Sequence, residues 1–257
     1  MVEIRSAMLD WLIYRGGLRR WRRAARRAPR MSPAQLRAER GRARRLRHWL
    51  NELISVADTR LALPVIGSNA FPKPHNADWA WRPRLWREPL ESPGMASVES
   101  RAELGGEARL FHDCRHSELS LRQLRNLREA DLAPFGLRMD VFAFDGSFLS
   151  LVLDLPPDAV QGLTRRHLIR LSTIVELEKP LEIFARLNVR HGPNTEQIVR
   201  ELPLDADEIV VEFDLAYSNL NEKRVEHAWI DLIFENPQMS QVVLRDLTLC
   251  RLPRADV

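Results

Sequence analysis

One short stretch gathers side chains that bind metals: His112-Asp113-Cys114-Arg115-His116. Imidazole, carboxylate and thiolate are all zinc-compatible donors. The spacing argues against a single ion. On a strand, His112 and His116 share a face but lie about 13 Å apart, at roughly 3.3 Å per residue. On a helix they would converge, but the surrounding residues do not read as helical. The expectation is a polar loop or strand face with no metal and no cofactor. No G-x-S-x-G elbow, Walker loop, H-E-x-x-H or dinucleotide fingerprint occurs. Carboxylate pairs such as Asp140 with Asp154, and Asp231 with Glu235, would serve a glycosidase only across a shared cleft. At alternating strand positions they read as solvent-facing, and the chain is expected not to be an enzyme.

Sugar recognition is the second chemistry to consider. It asks for aromatic faces beside amides and carboxylates. Trp229 and Phe184 fall on the solvent-side parity of alternating runs, and Asn188, Arg186 and Asp231 share those faces. Tyr217 opens the turn Ser218-Asn219-Leu220-Asn221. The glycan-binding candidates are therefore Trp229, Phe184, Tyr217, Asn188 and Asp231. The competing reading is plain packing, in which Trp229 and Phe184 lie under another segment of the same chain.

These side chains must be positioned by strands. Leu149, Leu151, Leu153 and Leu155 alternate with polar or exposed-type residues, and so do Ile169 to Leu177, Ile183 to Val189, Ile209 to Leu215 and Ala228 to Phe234. A period of two with one apolar face is the pattern of antiparallel sheets packed on a core from one side. Turn chemistry separates the runs at Asp145-Gly146, Pro156-Pro157-Asp158, His191-Gly192-Pro193-Asn194 and Asn236-Pro237. Asp145-Gly146 between apolar runs predicts a hairpin. In the last run, Val242 and Leu244 share one face while Leu247 and Leu249 continue on the other, so a β-bulge is expected near Arg245-Asp246. Residues 98–127 predict one or two further strands, with a turn at Gly105-Gly106. Many strands without crossover helices predict a mainly β, jelly-roll-like antiparallel β-sandwich over residues 95–257.

Ahead of the sandwich the composition changes. Residues 1–50 hold 15 Arg against 3 acidic residues, a net of +12, while the rest holds 24 Lys and Arg against 32 acids, a net of −8; together these make the chain's +4. Ile4, Met8, Trp11 and Leu12 fit a helix that Gly16-Gly17 is expected to break. Ser32-Pro33-Ala34-Gln35 is a capping signature for a second helix, over residues 33–58. Residues 1–62 are thus read as an Arg-rich helical arm whose docking residues are Arg19, Arg20, Arg22, Arg23, Arg26 and Arg27. Three partners compete for it: an anionic membrane surface, nucleic acid, and an acidic protein surface. Residues 63–94 carry Pro64, Pro72, Pro74, Pro83, Pro89 and Pro93 together with Trp79, Trp81 and Trp86. Proline excludes a regular helix or central strand there, and the tryptophans predict an ordered connector packed along the sandwich. It is one candidate cover for Trp229 and Phe184; the helix over 33–58 is the other.

No run of about 18 apolar residues occurs, so no transmembrane helix is expected. Glu3, Arg5 and Asp10 interrupt the first residues, which lack a signal-peptide core, and the chain is read as made in the cytoplasm. The 2 cysteines, Cys114 and Cys250, leave a single disulfide open.

The ending Trp229-Ile-Asp-Leu-Ile-Phe-Glu-Asn-Pro, followed by Val242-Val-Leu-Arg-Asp-Leu-Thr-Leu-Cys-Arg, resembles the closing strands of carbohydrate-binding-module-like jelly rolls. The likeness covers about residues 98–251. The whole chain also resembles an uncharacterised family of Rhodobacter-type alphaproteobacteria. Those bacteria make gene transfer agents, phage-like particles whose head spikes bind capsular polysaccharide. No residue matches a defined sugar-site or calcium-site motif. The resemblance implies glycan or surface recognition within a larger assembly, with protein partners, homo-oligomerisation, polysaccharide binding and incorporation into a released particle as expectations. The alternatives are a structural head-spike subunit with no sugar site of its own and, further off, an enzyme of envelope polysaccharide.

Overall fold

The computed structural model describes residues 2–61, 71–128 and 131–254, and within the two long helices it describes the side chains of residues 14–54. The chain divides into two compact units between Ile54 and Ser55.

The first unit contains helix α1 (Val2–Arg27), a 3-10 turn at Ala28–Arg30 and helix α2 (Pro33–Leu61) as far as Ile54. The expected cap forms at the start of α2. Gln35 N donates to Ser32 Oγ at 3.4 Å, and Ser32 N donates back to Gln35 Oε1 at 3.1 Å, so two otherwise unpaired helix-end donors are satisfied. The expected break at Gly16-Gly17 does not occur, and α1 runs through both glycines. Each glycine costs about 1 kcal/mol relative to alanine, too little to end a helix continued on both sides by good helix formers. A groove of about 510 Å³, floored by Trp21, Ala24, Ala28, Leu36 and Ala43, lies where the two helices meet. Further along α2, the apolar side chains of Trp49, Leu50, Leu53 and Ile54 are exposed.

The second unit is a sandwich of two antiparallel sheets. The seven-stranded sheet holds β1 (Trp79–Trp81), β2 (Gly94–Ala96), β5 (Leu119–Arg125), β6 (Phe135–Val141), β8 (His167–Leu177), β11 (Ile209–Asp214) and β13 (Ser240–Pro253), in the order β11-β8-β13-β6-β5-β2 with β1 paired to β13. The six-stranded sheet holds β3 (Ala102–Leu104), β4 (Ala108–His112), β7 (Leu149–Asp154), β9 (Ile183–His191), β10 (Asn194–Glu201) and β12 (Val225–Phe234), in the order β10-β9-β12-β7-β4-β3. Leucine, isoleucine and valine from the inner faces make one core, including Leu110, Leu151, Leu171, Leu187, Ile230 and Leu249. Burying each of these stabilises the fold by about 1.5–3 kcal/mol.

The chain repeatedly crosses between the sheets. That overturns the expected hairpin at Asp145-Gly146, because β6 and β7, which flank it, belong to opposite sheets. The turn at His191-Asn194 is a true hairpin, with Gly192 at φ +60° and His191 opposite Asn194. It leads into β10, which sequence reading missed because this edge strand is mostly exposed and carries only weak alternation. The bulge falls where expected, with the register of β13 against β8 shifting between Leu244 and Asp246. Cys114 and Cys250 are both free thiols, so the disulfide left open by the sequence is not formed.

Of the Pro- and Trp-rich stretch, residues 63–70 with Pro64 lie outside the described residues, and the part with the tryptophans packs on the seven-stranded sheet. Trp79 and Trp81 sit on β1, and Trp86, on the one-turn helix α3 (Arg84–Arg87), is fully buried and donates Nε1–H to Leu244 O at 2.9 Å. Gln123 holds α3 from below, donating Nε2–H to Leu85 O and Glu88 O at 2.6 and 2.7 Å. The indoles of this stretch are therefore used as core and do not cover Trp229.

Candidate functional site

On β12, Ala228, Ile230, Leu232 and Phe234 point into the core, which turns His227, Trp229, Asp231 and Ile233 to the outer face of the six-stranded sheet. Register then decides their neighbours. Trp229 stands between Asn188 of β9 and Asp154 of β7; Asp231 stands between Arg186 and Val152; Ile233 stands between Phe184 and Ser150. Strand β4 extends two of these rows, placing Arg109 opposite Val152 and Phe111 opposite Ser150. Apart from Asn188 and Phe184, these side chains line a groove of about 640 Å³, together with His227, Arg190 and Phe148.

Trp229 is half-buried and stacks against His227, with ring centroids 5.5 Å apart and planes tilted by 23°. His227 is fixed in turn by Asp154, whose Oδ1 lies 3.1 Å from Nε2, and Arg109 grips the same carboxylate. Burial, followed by the charges of Arg109 and Arg190, lowers the imidazole's pKa below its ordinary value despite the nearby carboxylate. Facing a carboxylate oxygen, which can only accept, Nε2–H is the donor of this pair. Its ring completes a flat aromatic wall with Trp229.

The adjacent row is ionic. Asp231 was read as solvent-facing, but only 3% of its surface is exposed. Arg186 lies across it, donating from Nε at 2.7 Å and from Nη2 at 2.5 Å, and Asn188 Nδ2–H donates at 3.0 Å. Gln197 Nε2–H donates to Asn188 Oδ1 at 2.9 Å and locks the amide. A charge placed on the solvent parity is buried here because its neighbour's guanidinium folds over it. One row further along, opposite Ile233, Ser150 Oγ is buried and has no hydrogen-bond partner among the described residues.

The metal-like cluster serves this groove structurally. His112 ends β4, where its Nε2–H donates to Val98 O at 2.8 Å and its Nδ1 accepts from Cys114 N at 3.2 Å. Asp113 accepts from Ser147 N and Oγ, both at 2.6 Å, and from Phe148 N at 3.2 Å. The Ser147 hydroxyl bond leads the causes that hold its carboxyl below the usual range. A Cβ on Gly146 would lie 2.5 Å from Asp113 Oδ1, so this turn needs glycine for close approach. The result is that Phe148, 45% exposed, is held at the groove's rim. Among the described residues no three histidine, cysteine or carboxylate side chains converge as a metal would require. Asp140 and Asp154 lie on different sheets, with Asp140 bound to Arg138 and Ser120.

Of the five glycan candidates, Trp229 and Asp231 line the groove. Asn188 lies beneath it, fully buried, with its amide spent on Asp231. Phe184 is on the same face, one row away, beside Ile233. Tyr217 does not join them. It is 83% exposed in the 3-10 turn after β11 of the other sheet, with the Arg254 guanidinium 5.4 Å from its ring centroid. Sequence reading missed Arg109, Phe111, Phe148, Arg190 and His227. Strand parity offered a signal for His227 and Arg190, which alternate in step with Trp229 and Asn188. In the helical unit, Arg19, Arg20, Arg22, Arg23, Arg26 and Arg27 are all exposed; Arg20 stacks on Trp21 and lies 3.9 Å from Glu39.

A family model described as a family of unknown function (DUF6478) matches residues 1–257. A comparison with curated proteins finds no match. Among solved structures, the chain is similar to the family 11 carbohydrate-binding module from Clostridium thermocellum in complex with a β-1,3-1,4-mixed-linked tetrasaccharide, at 12% identity, covering 64% of this chain and 97% of that one, with a TM-score of 0.39. It is also similar to the enzymatically active domain of bacteriophage CBA120 tailspike protein 4, at 7% identity over 60% of this chain and 21% of that one, TM-score 0.41. A third similarity is to TmCBM61 in complex with β-1,4-galactotriose, at 14% identity over 55% and 86% of the two chains, TM-score 0.33. None of these likenesses assigns a residue of the groove.

Proposed function

We propose that this chain, which belongs along its whole length to the family of unknown function DUF6478, recognises a glycan in the groove on the outer face of its six-stranded sheet. The observation that carries the reading is the half-buried Trp229–His227 aromatic pair lining a groove beside the polar and charged side chains of Arg109, Ser150, Asp154 and Arg186. Aromatic faces pack against the apolar faces of pyranose rings, and isolated polar groups fix orientation. The indoles of the Trp-rich connector are packed on the other sheet, so they do not occupy this face. The exposed arginines of the two helices suit a docking arm with which such a module would join a larger assembly. A head-spike role on a phage-like particle is the finer form of this reading and rests on the sequence resemblance.

The test is affinity electrophoresis of the full chain through gels loaded with single soluble polysaccharides, comparing wild type with Trp229→Ala. At least one polysaccharide should retard the wild type and not the variant. The half-buried ring's stack is worth about 0.5–1.5 kcal/mol, so the variant should stay folded. Equal mobility of the two proteins in every gel overturns the proposal.

A further inference from the structure

Resting on that glycan-binding reading, we infer that the groove selects acidic glycans, whose carboxylate, sulfate or phosphate groups would be held by Arg109, Arg186 and Arg190. Three guanidinium groups line the groove, whereas its own carboxylates are only Asp154 and Asp231, with Glu226 beside Arg190. Both lining carboxylates are already engaged. Asp231 is buried under Arg186 and Asn188, and Asp154 is shared by Arg109 and His227.

The arginines are not exhausted in the same way. A guanidinium carries five N–H donors. Arg186 gives Nε and Nη2 to Asp231, while Arg190 reaches Glu226 only at 3.3 Å, from Nε. Their side chains remain 36% (Arg109), 35% (Arg186) and 60% (Arg190) exposed. The groove is therefore rich in charged donors and poor in free acceptors. A neutral sugar, whose hydroxyls both donate and accept, uses such a lining badly. An anionic group, which only accepts, uses it well and takes arginine in bidentate fashion. Two of the three arginines, Arg109 and Arg190, also lie close enough to His227 to oppose protonation of its imidazole. The groove also adjoins a second cavity of about 480 Å³ through Phe148 and Ile233, with both Lys179 and Glu235 on its lining, so the two together offer room for several residues of a polymer.

The experiment compares full-length wild type, Arg190→Gln, Glu226→Gln and Trp229→Ala by calorimetric titration with polygalacturonate, a sulfated glucan and neutral dextran, at fixed ionic strength. Arg190 and Glu226 are exposed, so both charge variants should keep the wild-type melting temperature. Arg190→Gln should weaken acidic-glycan binding about tenfold, the loss of roughly 1.4 kcal/mol, and Glu226→Gln should tighten it. The uronate and the sulfated polymer separate the two sources of negative charge. Binding of dextran that needs Trp229 but ignores both charge variants overturns the acidic selection and leaves the glycan site standing. Binding of acidic polymers that ignores Arg190 also overturns it. If Trp229→Ala changes nothing, the retained polyanion belongs to the Arg-rich helices and the groove reading itself falls, as it does if no polymer binds.

Discussion

The buried ion pair that ties the connector to β13 allows a quantitative test. Arg82 is fully buried and donates from Nε and Nη2 to Asp246 at 2.9 and 2.7 Å; the two side chains are 0% and 8% exposed. Asp246 occupies the bulge of β13, where its Oδ1 also accepts from Leu247 N at 2.8 Å and Thr173 Oγ1–H donates to its carbonyl at 2.7 Å. Arg82 Nη1 has no partner among the described residues, and the guanidinium lies over the Phe71 ring at 5.1 Å. Burial raises the Asp246 pKa above its ordinary value even with the arginine opposing it, so the pair is held together at a cost in desolvation. Arg82→Met removes the compensation and strands the carboxylate, which should cost about 3–5 kcal/mol. For a unit of this size that is a fall in Tm of about 6–20 °C. Adding Asp246→Asn, which removes the charge and keeps an acceptor for Leu247 N, should recover at least half of the loss, a coupling within the usual range for contacting residues of about 0.5–3 kcal/mol. The pH dependence has a definite sign. A carboxyl whose folded pKa is raised carries no penalty below its unfolded value, near 3.9, where it is protonated in both states. The penalty grows as pH rises to the folded pKa and is constant above it. The Arg82→Met deficit should therefore be smaller at pH 4 than at pH 8 in denaturant melts. A deficit under about 1 kcal/mol with no change between those pH values would show that Asp246 is effectively solvated and refute the reasoning.

Three further outcomes are expected. Trp86→Ala should cost about 3–5 kcal/mol in urea melts, because a fully buried indole leaves a cavity, whereas Trp86→Phe should lose chiefly the bond to Leu244 O, about 1 kcal/mol. Gly136→Ala should destabilise the sandwich by about 1–3 kcal/mol, since the new Cβ would lie 2.9 Å from Leu244 O, a backbone atom beside the bulge. Ser32→Ala should remove about 1 kcal/mol from α2, visible as lost helical ellipticity on heating while the sandwich transition stays in place.

Local rules settled a good deal. A period of two assigns each strand residue to a face without reference to any other strand, so Trp229, Phe184, Asn188 and Asp231 share one outer face as their parity requires. The parity break at Arg245-Asp246 demanded a bulge, and the cap at Ser32 and Gln35 follows from four consecutive residues. Parity, however, says nothing about which strand lies alongside. Asp145-Gly146 has the same chemistry whether the next strand pairs back or crosses to the other sheet, and only the packing of the two apolar faces chose crossing. The same choice brought Arg109 and Asp154 beside His227 and Trp229, residues up to 120 positions apart in the chain. Burial of Asp231 under Arg186, and of Trp79, Trp81 and Trp86 in the seven-stranded sheet, likewise depended on neighbours supplied from across the fold. The chain by itself determined which side chains face outward; only the tertiary structure decided which of them meet, because face is a property of one strand's backbone and adjacency is a property of the whole packed sheet.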